Sequence, residues 1–380
     1  MKEIGIYIHI PFCIKKCSYC DFISFDNREA KIDEYIASLK REIDRVGVNS
    51  STYINYDPMQ YKVRTIYIGG GTPSYLESRH IKEVLSVLKL RWNVDQDAEI
   101  TLEMNPGTVD KDKLKAYRDL GINRLSIGLQ SANNEELKII DRSHTYEDFL
   151  EAYKLSEEAG FENINVDIIL GLPNQTTKSL QITIDKVISL KPKHISVYSL
   201  ILEEGTKLYE EISEHLLPDD NEERKLYWST KKRVEEAGYK HYEISNYCLE
   251  GHESKHNLDC WYQKEYIGFG LGAHSYIDDR RYSNTSDLNE YIWSEGKQKT
   301  IHETQDKESK MKEYMLLGLR KIEGIKILEF KDRFEEDPNL LYRDELNILV
   351  AKGLIEMDDE KIKLTNKGID LANQVWGSFL

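Results

Sequence analysis

Three cysteines within eight residues constrain this chain more than any other feature. Cys13, Cys17 and Cys20 follow a β-branched, aromatic-rich run over residues 4–10 that stops at Pro11. Such a run ending at proline reads as a strand, so the thiols sit on a loop fixed to a strand end. Three thiolates in one short loop can hold three irons of a [4Fe–4S] cube and leave the fourth iron open to a small chelating ligand. A structural zinc site would want a fourth Cys or His nearby, and dithiol redox chemistry one Cys-x-x-Cys pair rather than three cysteines. On the residues alone, zinc stands as the main alternative.

The rest of the chain alternates between short β-rich runs and helical patterns. After the first strand, residues 65–69, 99–103, 124–128, 164–168 and 195–199 read as strands. Residues 31–46, 79–90, 111–120, 135–140, 146–158 and 178–190 read as helices, and 221–238 as a long charged one. Residues 49–63, polar and aromatic without a period, read as a surface excursion. Six β-strands each followed by a helix predict an α/β fold with a parallel sheet, an open partial (β/α)6 barrel rather than a closed eight-stranded one. Chemistry in such barrels collects beyond the carboxyl ends of the strands.

Several candidates fall at those ends. The Gly69-Gly70-Gly71-Thr72-Pro73 run lets backbone groups approach a ligand with no Cβ in the way, although a tight turn would use the same residues. Glu103 precedes an Asn-Pro-Gly turn and could meet an ammonium or hydroxyl, or be a solvated strand end. Gln130 ends the fourth strand. Asp167 lies inside an otherwise apolar strand, where an unpaired acid is costly, which points it at a polar ligand or a cation. Arg142 has a helix-terminal surface residue as its bland reading.

Composition narrows the class of function. A formal charge of −15 argues against broad nucleic-acid binding, which needs a basic face. Beyond the loop only Cys248 and Cys260 remain of five cysteines, too few for a disulfide framework, so the compartment is expected to be reducing. With no run of membrane-spanning length or secretory leader, the expectation is a cytoplasmic protein that docks on membranes at most peripherally.

Cys-x-x-x-Cys-x-x-Cys with Tyr19 before the last cysteine resembles the signature of the radical S-adenosylmethionine (SAM) superfamily. Tyr7-x-His9-x-Pro-Phe-Cys13 is similar to the branch that holds the oxygen-independent coproporphyrinogen III oxidases and the related haem chaperones. The resemblance implies a [4Fe–4S] cluster on Cys13, Cys17 and Cys20. It implies SAM surrounded by Tyr7, Tyr19, Gly70, Gly71, Thr72, Glu103, Gln130, Arg142 and Asp167, and one-electron cleavage of its sulfonium as the chemistry on offer. Glu203-x-Gly-Thr206 resembles the branch's pattern after the last barrel strand.

Within that branch the oxidases carry a further cysteine two residues after the third. This chain has Phe22 there, which counts against coproporphyrinogen oxidation. His256-Asn257-x-x-Cys260-Trp261 resembles the His-Asn-x-x-Tyr-Trp motif of the chaperones, with Cys260 in place of Tyr. Together with His252 these residues are candidates for contact with haem as cargo, imidazole for iron and flat rings for stacking. The bland reading is that they close the barrel and pack its core. The resemblance therefore implies a haem chaperone serving acceptor haemoproteins, membrane-bound respiratory proteins among them. The alternative is a radical SAM enzyme acting on a porphyrin or another small molecule, an oxidase or a two-SAM methyltransferase. The expected organisation is a barrel over 1–240, a barrel-closing His/aromatic/Gly-rich extension over 241–300, and a smaller helical, winged-helix-like module over 301–380. Mixed charge in that module favours a lid or docking surface over DNA binding.

Overall fold

The computed structural model describes residues 1–45 and 57–380. Six strands, β1 (Lys2–Ile10), β2 (Tyr61–Gly70), β3 (Asn93–Met104), β4 (Arg124–Gln130), β5 (Asn163–Leu170) and β6 (His194–Ser199), pair in chain order, each parallel to the next. Between them run α1 (Ile32–Arg45), α2 (Ser78–Arg91), α3 (Lys111–Asp119), α4 (Asn134–Ile139), α5 (Tyr146–Glu158) and α6 (Thr177–Leu190). After β6 come α7 (Lys207–Glu211) and α8 (Asp220–Glu236), the charged helix expected there. This is the anticipated α/β architecture, an open partial barrel of six β/α units.

Period-two patterning decides which way each strand faces. Ile4, Ile6, Ile8 and Ile10 of β1, Leu125, Ile127 and Leu129 of β4, and Ile164, Val166 and Ile168 of β5 are buried in one core with Tyr35, Leu39, Leu85 and Phe149 from the helices. Each such side chain contributes roughly 1.5–3 kcal/mol by leaving water. The alternate positions carry polar groups that bond to one another, among them Tyr7 with His9, Tyr67 with Glu103, and Ser126 and Asn165 with Asp167. Helices thus cover the apolar face, and the barrel interior is polar.

Two strands start earlier than the apolar runs suggest. β2 and β3 already pair at Lys62↔Asn93 and Val63↔Val94, before a register shift leads to Thr65↔Glu99. An ion pair of Lys62 with Asp95 at 2.6 Å spans this polar lead-in, which hydrophobic periodicity does not register. Of the expected excursion, residues 49–56 lie outside the described residues, as does Val46 at the end of the first predicted helix; Pro58–Gln60 forms a 3-10 turn.

Among the described residues the sheet has twelve strands. β7 (Lys240–Glu243) and β8 (Asn246–Cys248) extend it beyond β6, while β9 (Tyr266–Phe269), β10 (His274–Ile277), β11 (Arg280–Asn284) and β12 (Lys299–Thr304) extend it beyond β1. β7 and β12 are the two edges. The segment 241–300 therefore lengthens the sheet at both ends and does not hydrogen-bond the barrel shut, and the expected limits at 240 and 300 fall inside strands. What fills the floor is α9 (Lys255–Trp261), whose first two backbone N–H groups donate to Glu99 at 3.2 and 3.1 Å. α10 (Leu288–Ser294) packs on α1.

From α11 (Lys307–Gly318) onward a second core gathers Met315, Phe330, Leu349 and Val375. Its small antiparallel sheet orders β13 (Ile325–Lys326), β15 (Lys361–Leu364) and β14 (Ile355–Met357), a winged-helix-like arrangement among helices. The Arg320 guanidinium lies 4.5 Å from the Trp261 ring and 4.6 Å from the Trp376 ring, joining this module to α9. Among the described residues no helix is long and apolar enough to cross a membrane.

Candidate functional site

The cysteine loop is tied at its neck and at its tip. Cys13 N donates to Phe25 O at 2.9 Å and Phe25 N to Pro11 O at 2.7 Å, so residues 13–25 leave β1 and return beside it. At the tip, Ser18 N donates to Ile140 O and Leu208 N donates to Ser18 O, pinning the loop between α4 and α7. Asp141, in a left-handed turn at φ 57°, accepts from Lys15 at 2.6 Å and Lys207 at 2.8 Å. Thr72 Oγ1 donates to Cys13 Sγ, and Arg142 Nη1 to Cys17 Sγ, each at 3.5 Å. Burial pushes the Cys13 and Cys20 thiols up as free groups, with neighbouring sulfurs adding to the shift. A bound metal reverses that preference by deprotonating its thiol ligands.

The glycine run lies directly against this loop. Gly71 N donates to Ile10 O and Thr72 N to Phe12 O, both at 2.8 Å. A Cβ on Gly71 would stand 2.9 Å from Phe12 O and 3.0 Å from Cys13 Sγ. Gly70 has φ +112°, and a Cβ there would meet the His9 ring at 2.6 Å. These two positions require glycine for close approach rather than for a turn alone.

The polar strand ends converge above. Glu103 accepts from Tyr67 OH at 2.7 Å and from Gly70 N at 3.0 Å, yet burial pushes its carboxyl up to about 7. Asp167 accepts from Ser126 Oγ at 3.0 Å and Asn165 Nδ2 at 2.7 Å, and burial raises it too. Gln130 is buried with φ 69°, at a break in the β4–β5 register. Arg142 Nη2 donates to Gly128 O at 2.6 Å and Asn105 Oδ1 at 2.8 Å, while its buried Nε has no partner. A buried acid that is costly to ionise until a cation joins it and a guanidinium with an unsatisfied N–H suit a zwitterion that carries an ammonium and a carboxylate.

All three cysteines line one cavity of about 470 Å³. So do eight of the nine residues the resemblance puts around SAM: Tyr19, Gly70, Gly71, Thr72, Glu103, Gln130, Arg142 and Asp167. The ninth, Tyr7, lies off that wall, its ring stacked 6.3 Å from Tyr67 and its hydroxyl 2.9 Å from His9 Nδ1. The volume lies within the range of small-molecule sites. Among the described residues no three His, Cys, Asp or Glu are gathered as ligands of a single ion. The thiols are spread round a cavity wall instead, which fits a group with several metal corners. Phe22, 62 % exposed, lines the same cavity with Tyr198, Leu200 and Ile201.

Some residues of the site were missed. Asn105 bridges Arg142 to Thr72, donating to Thr72 Oγ1 at 3.0 Å, and Tyr67, Ser126 and Asn165 orient the two acids. The signal that finds Tyr67, Ser126 and Asn165 is a polar residue at every second position of an otherwise apolar strand; Asn105 lies one residue beyond β3.

The haem candidates scatter. His256 is only 8 % exposed, its Nδ1 is 2.8 Å from Thr65 Oγ1, its ring stacks on Tyr67 at 5.2 Å, and burial holds its pKa near 4. It serves the barrel floor. Trp261 belongs to the Arg320 joint, Asn257 N donates to the cap Ser254 Oγ at 3.4 Å, and His252 is half-buried in the turn before α9. Cys260 is held up at about 12 by burial, not activated as a thiolate.

Residues 7–187 match the Radical SAM superfamily and residues 305–371 the HemN C-terminal domain. The heme chaperone HemW of Lactococcus lactis subsp. lactis (strain IL1403) is 36% identical over 382 residues, spanning 100% of this chain and 98% of that one. The chain belongs to the HemW family of radical SAM proteins. HemW of Bacillus subtilis (strain 168) is likewise 36% identical, over 98% of both chains. Coproporphyrinogen III oxidase (HemN) from Escherichia coli superposes with a TM-score of 0.86 over 100% of this chain and 90% of its own, at 23% identity, a likeness of fold. Membership of the radical SAM superfamily implies a [4Fe–4S] cluster and SAM, and the cavity described above fits both.

Proposed function

We propose that this chain is a haem chaperone that binds a [4Fe–4S] cluster, SAM and haem, and hands haem to acceptor haemoproteins in the cytoplasm or at the membrane surface. Likeness over the full length to HemW proteins carries this reading. Phe22, where the oxidases have a cysteine, supports it against coproporphyrinogen oxidation.

Cys13, Cys17 and Cys20 would hold the cluster, which when bound supplies one-electron reduction of the SAM sulfonium. The protein's own work is positional. Gly70 and Gly71 open the approach for the methionyl amino group, with Glu103 and Thr72 beside it. Arg142 offers its guanidinium to the carboxylate, and Gln130, Asp167 and Tyr19 line the remaining wall. His252, Asn257 and Trp261 stay as candidates for the haem-facing surface, while His256 acts through the floor of the barrel. The long sheet runs through β12 to Thr304, and the helical module after it acts as a lid or docking surface.

The test is titration of haemin into anaerobically reconstituted protein, with and without SAM. A Soret shift retained through gel filtration is expected. Conversion of coproporphyrinogen III to protoporphyrinogen IX would replace the chaperone reading with the oxidase one, and a methylated product with the methyltransferase one.

A further inference from the structure

His274 on β10 and His302 on β12 are both exposed, and their rings stack with centroids 5.3 Å apart and planes 13° from parallel. β11 runs between their strands, and its Ser283 Oγ lies 2.8 Å from His302 Nε2. Two imidazoles face to face in contact with water gain little from burial and repel one another once both are protonated. Both line a cavity of about 420 Å³ that also takes in Ile23, Gly272 and Glu290. This cavity is separate from the cysteine cavity but adjoins the same loop. Asp21, Phe22 and Ser24 line the first, whereas Ile23 lines the second, and its carbonyl sits 2.8 Å from His9 Nε2.

We propose that His274 and His302 form a transition-metal site that takes a metal centre with open positions for imidazole, arriving as a free divalent ion or as the iron of a porphyrin. Neutral imidazole suits cobalt, nickel, zinc and iron alike. Both ligands stand on strands of one sheet, a rigid mounting, and the Ser283 hydroxyl orients the far nitrogen of His302 as outer partners of ligating histidines do. The porphyrin source rests on the haem-chaperone reading; the free-ion source does not.

The experiment uses the full chain with its cluster reconstituted without air, as wild type, His274→Ala, His302→Ala and the double variant. Co²⁺ is followed by its visible bands and haemin by its Soret shift, with a thermal melt confirming that these surface variants fold. Each single variant is expected to weaken Co²⁺ binding about tenfold or more. A haemin shift weakened in parallel identifies porphyrin iron as the ligand, and one that survives alongside lost Co²⁺ binding identifies a free ion. Co²⁺ and haemin binding both unchanged in the double variant would overturn the site while leaving the haem-chaperone reading intact. Wild-type protein that takes Co²⁺ at this pair but no haemin would sink the chaperone reading and not the site.

Discussion

The Glu103 carboxylate accepts the backbone N–H of Gly70 at 3.0 Å, locking the end of β3 to the glycine run of β2. Its pKa, raised by burial from an ordinary 4.5 to about 7, makes it a reporter of whether the cavity is filled. The folded state holds the proton more tightly than the unfolded chain does. The stabilisation is therefore complete below about 4.5 and lost as pH rises through about 7, amounting to about 3 kcal/mol at most. Thermal melts of cofactor-free wild type should fall between pH 5 and pH 8 by more than those of Glu103→Gln. Equal falls would show that Glu103 does not carry this dependence.

Gly71→Ala should impair cluster incorporation, because its Cβ would press on Phe12 O and Cys13 Sγ. Gly377→Ala makes a matched control: neither glycine needs a positive φ, and at Gly377, with φ −61°, nothing lies within 4 Å of the added Cβ. Iron and sulfide content after reconstitution should drop well below half in the first and hold in the second. Full loading of Gly71→Ala would mean the loop yields to the methyl group without consequence.

Arg142 is bound to a carbonyl, an amide oxygen and a sulfur at once. An ammonium cannot reproduce that fork, so Arg142→Lys should weaken SAM binding nearly as much as Arg142→Ala, by about ten- to a hundredfold in equilibrium dialysis. Lysine restoring wild-type affinity would reduce the residue to a point charge.

Arg320→Ala removes the cation shared by Trp261 and Trp376, a loss of about 1–2 kcal/mol. The C-terminal module should then open to protease before the barrel does, seen as early cleavage C-terminal to α11 with the barrel intact. A digestion pattern unchanged from wild type would assign the joint to its other contacts, Arg333 with Tyr262 O and Trp228 with Asp370.

Much of this was legible along the chain because the chemistry is local. The cysteine spacing, the glycine run and the strand-end residues Glu103, Gln130 and Asp167 each stand beside their own strand, so a parallel-sheet reading was enough to bring them to one cavity. What escaped was non-local. The polar lead-ins of β2 and β3 are stitched by Lys62 and Asp95, β9 joins β1 from some 260 residues away, and residues 241–300 divide between opposite ends of the sheet. His256 is a candidate for haem contact by its motif; its contacts with Thr65, Tyr67 and Glu99, brought in from distant strands, are what a motif alone does not show.

We propose that Cys13, Cys17 and Cys20 hold a cubane. Iron and acid-labile sulfide analysis of protein prepared without air tests it directly: the expected result is about four of each per chain, lost when any one of the three is changed to alanine. Stoichiometric zinc, or loading that survives Cys17→Ala, would contradict it.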